Sequence, residues 1–118
     1  MNRIRLVLAT AAALALVTAA PSTAATTKLV ANVGPSFTIT LTKGGKKVTS
    51  LKPGSYSITV NDRSTFHNFH LTGPGRVNKK TTVAFQGKRT WTVTLRKGTY
   101  RYVCDPHASQ MKGSFRVA

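Results

Sequence analysis

From about residue 37 to the C-terminus, the sequence is cut into short runs that alternate apolar and polar residues and end at Gly or Pro. That pattern admits little except a stack of short β-strands. The runs fall at residues 37–42, 47–51, 56–60, 81–85, 91–95, 100–104 and 113–117, with a histidine-bearing segment between the third and fourth. Turn residues recur between them: 43–46, Pro53-Gly54, Gly73-Pro74-Gly75, 86–89 and Lys97-Gly98. No stretch after the first 25 residues carries a sustained helical period, and enrichment in Thr and Val argues further for strand. Turn signals about every ten residues predict one all-β domain, a sandwich or a barrel. The same alternation turns Trp91, Val93 and Leu95 inward and Thr92 and Thr94 outward. It also places Tyr100, Tyr102 and Cys104 on one inward face, with the thiol at the end of its strand.

The N-terminus reads differently. Met1-Asn2-Arg3-Ile4-Arg5 is a basic opening to an apolar run reaching Ala20, followed by small residues at Ser22, Thr23, Ala24 and Ala25. This order predicts a secretory signal over residues 1–25 and a single domain over 26–118. An uncleaved membrane anchor is the alternative, but the run falls short of the ~20 apolar residues a span needs. The domain carries nearly all of an extreme charge. Eighteen Lys and Arg face two acids, Asp62 and Asp105, for a net +16, and losing Arg3 and Arg5 with the signal leaves +14. Such a field steers a protein toward an acidic partner or an anionic envelope surface.

Cys104 is the only cysteine, so no internal disulfide is possible. A bare thiol in an exported chain is prone to oxidation, whereas a thiolate held by a metal is protected. Within eight residues of Cys104 stand His107 and Met111, joined through Asp105-Pro106 and Ala108-Ser109-Gln110. Thiolate, imidazole and thioether are the ligands that select copper over hard cations. Pro106 rules out a regular helix here, so the three must project from a turn at one end of the domain. A fourth ligand comes from the pair His67 and His70. On a regular strand these two point to opposite faces, so at most one reaches the site. Two His and one Cys with a weak axial Met is the arrangement of blue-copper electron-transfer sites. The competing readings are a buried inert thiol at Cys104 and simple core filling by Met111.

Taken together, these motifs resemble the cupredoxins, in particular plastocyanin-like and amicyanin-like domains. The resemblance lies in His67-Asn68 and in Tyr100-Arg101-Tyr102-Val103-Cys104-Asp105-Pro106-His107 followed by Met111. It implies a Greek-key β-sandwich of about seven or eight strands and one copper per chain, cycling between Cu(I) and Cu(II). It further implies His67, Cys104 and His107 as equatorial ligands and Met111 as the axial one. Asn68 then ties the His67 segment to the Cys104 loop. Two departures from the family stand out. Three residues separate His107 from Met111, between the amicyanin and plastocyanin loop lengths. Asp105 sits beside the thiolate where plastocyanins have a neutral hydroxyl residue, and a carboxylate there favours the higher copper charge.

The leading functional expectation is a non-enzymatic, monomeric, mobile one-electron carrier, exported from the cytoplasm, with electrons leaving through His107. The alternative is an extracytoplasmic protein for copper storage, delivery or resistance using the same ligands. A thiol enzyme is disfavoured because the sequence shows no group to orient a histidine base and no oxyanion loop. A specific nucleic-acid binder is disfavoured because charge alone, without a recognisable module, would have to support it.

Overall fold

A computed structural model describes residues 9–18 and 26–118. Residues 9–18 are exposed and have no regular structure, while most of the expected signal peptide lies outside the described residues. No helix among the described residues is long and apolar enough to cross a membrane.

Residues 26–118 form two five-stranded sheets. The strands are β1 (Thr27–Val33), β2 (Ile39–Lys43), β3 (Lys46–Lys47), β4 (Ser50–Leu51), β5 (Gly54–Asp62), β6 (His70–Gly73), β7 (Val77–Lys80), β8 (Gly87–Leu95), β9 (Gly98–Val103) and β10 (Lys112–Val117). One sheet runs β3-β2-β1-β5-β8 and the other β4-β10-β9-β6-β7. Both are mixed: β1 pairs parallel with β5 and β10 parallel with β4, and the remaining neighbours are antiparallel. The all-β sandwich is as expected, with ten strands rather than seven or eight. Part of the excess comes from residues 47–51, which do not form one strand. The chain leaves the first sheet after Lys47, buries Val48 and joins the second sheet at Ser50, so one alternating run serves both layers.

Alternation decides which side chains meet between the sheets. Leu29, Ala31 and Val33 of β1 face inward, as do Tyr56, Ile58 and Val60 of β5 and Tyr100 and Tyr102 of β9. Val93 and Leu95 are buried as the pattern requires, while Trp91 packs only against the edge of this core. Aromatic rings consolidate the second sheet: Tyr102 stacks on Phe69 at 5.5 Å and Tyr100 on Phe115 at 5.4 Å. Gly73 and Gly113 lie under these two tyrosines, where a methyl group would collide with the ring.

Three local expectations are overturned. Residues 81–85 are a loop with a turn closed by Phe85 N–H to the Thr82 carbonyl. Their apolar side chains are used elsewhere, Phe85 lying under the Arg89 guanidinium at 4.7 Å. The expected turn at 86–89 is the start of β8, because β5 is long enough to pair from Gly54 to Asp62 against all of Gly87–Leu95. Phe37 stands outside β2 and is 61% exposed.

Candidate metal centre

At one end of the sandwich, β9 runs out at Val103 and the chain makes a single 3-10 turn over Asp105–His107 before returning as β10. Pro106 suits the start of such a turn, where its missing N–H has no partner to lose. Backbone bonds close the loop: Cys104 N–H donates to the Met111 carbonyl at 3.0 Å, and Met111 N–H to the His107 carbonyl at 2.8 Å. Hairpin pairing of β9 with β10 therefore holds Cys104 and Met111 side by side, both fully buried.

His67 arrives from the segment between β5 and β6. It is not on a strand, contrary to expectation: β6 begins only at His70, and His67, Asn68 and Phe69 are buried in succession. The two histidines still part company. His67 turns to Cys104, whereas His70 bonds Asp105 and Asn78.

His67 Nδ1 lies 3.7 Å from Cys104 Sγ, His107 Nδ1 lies 3.6 Å from it, and the two nitrogens are 3.1 Å apart. The circumradius of a triangle with those sides is about 2.0 Å, so one point is equally close to all three atoms, and metal–imidazole bonds are about 2.0–2.1 Å. Two imidazole nitrogens and a sulfur aimed at one point make a site for a single borderline-soft ion, and they fit copper.

The surroundings fix these donors. Asn68 N–H points at Cys104 Sγ from 3.5 Å. The Asn68 amide donates to Asp105 Oδ2 at 2.8 Å and to the Thr81 carbonyl at 3.1 Å, and its oxygen accepts Asp105 N–H at 2.7 Å. The tie between the His67 segment and the Cys104 loop is thus present. Asp105 is also bonded to His70 Nδ1 at 2.8 Å. Partial burial raises its pKa, but the hydrogen bonds from His70 and Asn68 and the charges of His70 and Lys80 outweigh that, leaving the carboxyl below its usual range. Asp62, at the end of β5, goes the other way. Burial raises it more than the Ser64 N–H bond and the nearby His67 lower it.

Sequence reasoning missed two residues at this end. Phe37 sets its ring edge-on to both His67 and His107, at centroid distances of 5.4 and 4.9 Å. Gly34, at φ +67°, lies so close that a Cβ would come within 3.1 Å of the His67 ring. Alternation placed Phe37 at the start of a strand; the Gly34-Pro35 pair shortly before it was the only local sign of a break. Phe37 and Phe66 rim an apolar opening of about 570 Å³ that exposes the edge of His107, with Pro35, Val83 and Pro106 around it.

Comparison with known proteins agrees with this geometry. Residues 45–118 match the family described as copper binding proteins, plastocyanin/azurin family. The sequence matches no curated protein. Among solved structures, the fold is similar to the copper protein rusticyanin, with 21% identity, a TM-score of 0.59 and coverage of 81% of this chain and 80% of that one. It is also similar to dithionite-reduced auracyanin from the photosynthetic bacterium Roseiflexus castenholzii, with 21% identity, a TM-score of 0.57 and coverage of 80% and 99%. A mutant of amicyanin with Cu(I) gives 21% identity, a TM-score of 0.51 and coverage of 77% and 82%.

Proposed function

The chain belongs to the plastocyanin/azurin family of copper-binding proteins, with copper as its cofactor, and from that premise we propose that it is a mobile one-electron carrier and not an enzyme. His67, Cys104 and His107 would hold the metal, with the buried thioether of Met111 as a further, weaker donor. Bound copper supplies the Cu(I)/Cu(II) couple. The chain supplies a donor set whose three positions are fixed by strand pairing, the Asn68 bonds and the Phe37 edge contacts. Ligands held in this way move little when the charge changes, which keeps reorganisation small.

The observation that carries this reading is the opening at His107. An apolar collar around one half-exposed ligand edge lets a partner approach without dehydrating charged groups, and the imidazole is the shortest way out for an electron. Storage or delivery needs no such collar and is the lesser reading. Residues 1–25 act as the export signal, residues 26–118 as the working domain, and the partner at the His107 face is an acidic redox protein drawn in by the basic field. Two neighbours in the comparison were solved in reduced or Cu(I) form, in keeping with a redox role.

Titration with Cu(II) tests the assignment. One equivalent should give an intense thiolate-to-copper absorption that Cys104→Ser abolishes, and the loaded protein should exchange electrons rapidly and reversibly at an electrode. A colourless copper complex, or colour surviving in Cys104→Ser, would refute it.

A further inference from the structure

The two outer faces of the sandwich differ in chemistry. On the first sheet, paired rungs read Lys47, Thr42, Val30, Thr59, Thr90, then Thr40, Asn32, Asn61, Lys88, and Lys28, Ser57, Thr92, a face of hydroxyls and amides whose lysines stand one to a rung. On the second sheet, Arg101 of β9 and Lys112 and Arg116 of β10 all project outward, in register with Ser114, Val103 and Thr99 respectively. Beside them runs a groove of about 610 Å³ lined by Lys47, Thr99, Arg101, Val103, Lys112 and Ser114. Arg116 continues the row. The cations are exposed, and among the described residues none of them has an ion-pair partner, the only such pair being His70 with Asp105. Asp105, beyond Val103, is already engaged by His70 and Asn68.

We propose that this groove binds a linear polyol-phosphate polymer of the cell envelope, at a site separate from the electron-transfer face. Along β10, outward positions are spaced roughly 7 Å apart, so Lys112, Ser114 and Arg116 meet successive segments of an extended chain. Arg101 and Arg116 offer forked donors that match phosphate oxygens, and Thr99 and Ser114 add hydroxyl donors. The other anionic partners fit less well. An acidic protein would need a large apolar or aromatic anchor in the groove, and its apolar side chains are only the small Val103 and Ala108. Single-stranded nucleic acid would need an exposed aromatic ring for base stacking, and none lines it. The expected export signal would bring the domain among the anionic polymers of the envelope. The groove shares no lining residue with the opening at His107, and Ala108 is where it comes nearest to that opening. This inference rests on the proposed export of the domain but not on the electron-carrier reading.

The test uses the copper-loaded chain and synthetic poly(glycerol phosphate), with binding followed by calorimetry across a salt series. A fourfold variant, Lys47→Gln, Arg101→Gln, Lys112→Gln and Arg116→Gln, is compared with a charge-matched control, Lys28→Gln, Lys52→Gln, Lys88→Gln and Lys97→Gln. Unchanged copper absorption shows that both are folded. The groove variant should bind at least tenfold more weakly. Its slope of log affinity against log salt should fall by nearly three, at about 0.7 per cation lost on a flexible strand. The control should lose less than threefold. Equal losses in the two variants would overturn the proposal, showing that charge acts without a site. Tighter binding of the parent chain to oligo-dT or to poly-glutamate of equal charge would overturn it in favour of nucleic acid or an acidic protein.

Discussion

Replacing Asn68 by Ala removes the link between the histidine segment and the ligand loop without touching any residue assigned to the metal. Asn68 is 2% exposed, and three hydrogen bonds go with its amide, at 2.7, 2.8 and 3.1 Å. The Asp105 carboxylate is half exposed and recovers water, so its loss counts little. The Asp105 N–H and the carbonyl of buried Thr81 are left without a partner. Orphaned buried groups cost about 1–3 kcal/mol each, and partial access to water at Asp105 pulls the total down to about 2–4 kcal/mol. For a domain of this size, each kcal/mol lowers Tm by about 4–8 °C, so the metal-free Asn68→Ala protein should melt roughly 10–30 °C lower. Urea titration of the metal-free protein should show a lower midpoint with an unchanged m value. A metal-free variant melting within 3 °C of its parent would refute the argument, because these bonds would then contribute nothing to holding the two segments together.

Other perturbations probe separate links. His67→Ala should lose the intense copper absorption and His70→Ala should keep it, since only His67 Nδ1 faces Cys104; the reverse result would exchange their roles. Asp62 has a folded pKa above its unfolded value of about 3.9, so its contribution is present below that pH and is lost as pH rises through the folded value. Metal-free Asp62→Asn should therefore gain stability over the parent as pH rises from 4 to 7, and parallel curves in denaturant titrations would count against this. Stopped-flow electron transfer to an acidic acceptor should slow as salt rises, exposed charges being screened over ~8 Å at physiological ionic strength. Reversing Lys79, Lys80, Lys88 and Arg89 to acids should flatten or invert that trend, and a salt-independent parent rate would argue against steering.

The sequence by itself determined the chemistry and much of the layering. The candidate donors Cys104, His107 and Met111 are close in the chain, so one hairpin turn holds them at the same end of the sandwich whatever the rest of the fold does. Alternation correctly turned Val93 and Leu95 of β8, Tyr100 and Tyr102 of β9, and Cys104 just beyond it, inward, because a period of two survives any choice of partner strand. Tertiary structure decided whatever depended on a distant partner. Residues 81–85 alternate like a strand yet remain a loop, and residues 47–51 alternate yet divide between two sheets, because alternation does not name a hydrogen-bonding neighbour. β1 and β7 lay outside the expected set for the same reason; β1 is secured by parallel pairing with a strand about thirty residues away. At the metal centre, His67 is chosen over His70 by a segment without regular structure, held through Asn68 to Asp105 and Thr81. Phe37 and Gly34 border the histidines only because antiparallel pairing of β1 with β2 carries their connection to that end of the sandwich. Short-range chemistry was legible because its geometry is local, whereas the rest required the long-range hydrogen bonds that bring remote segments into contact.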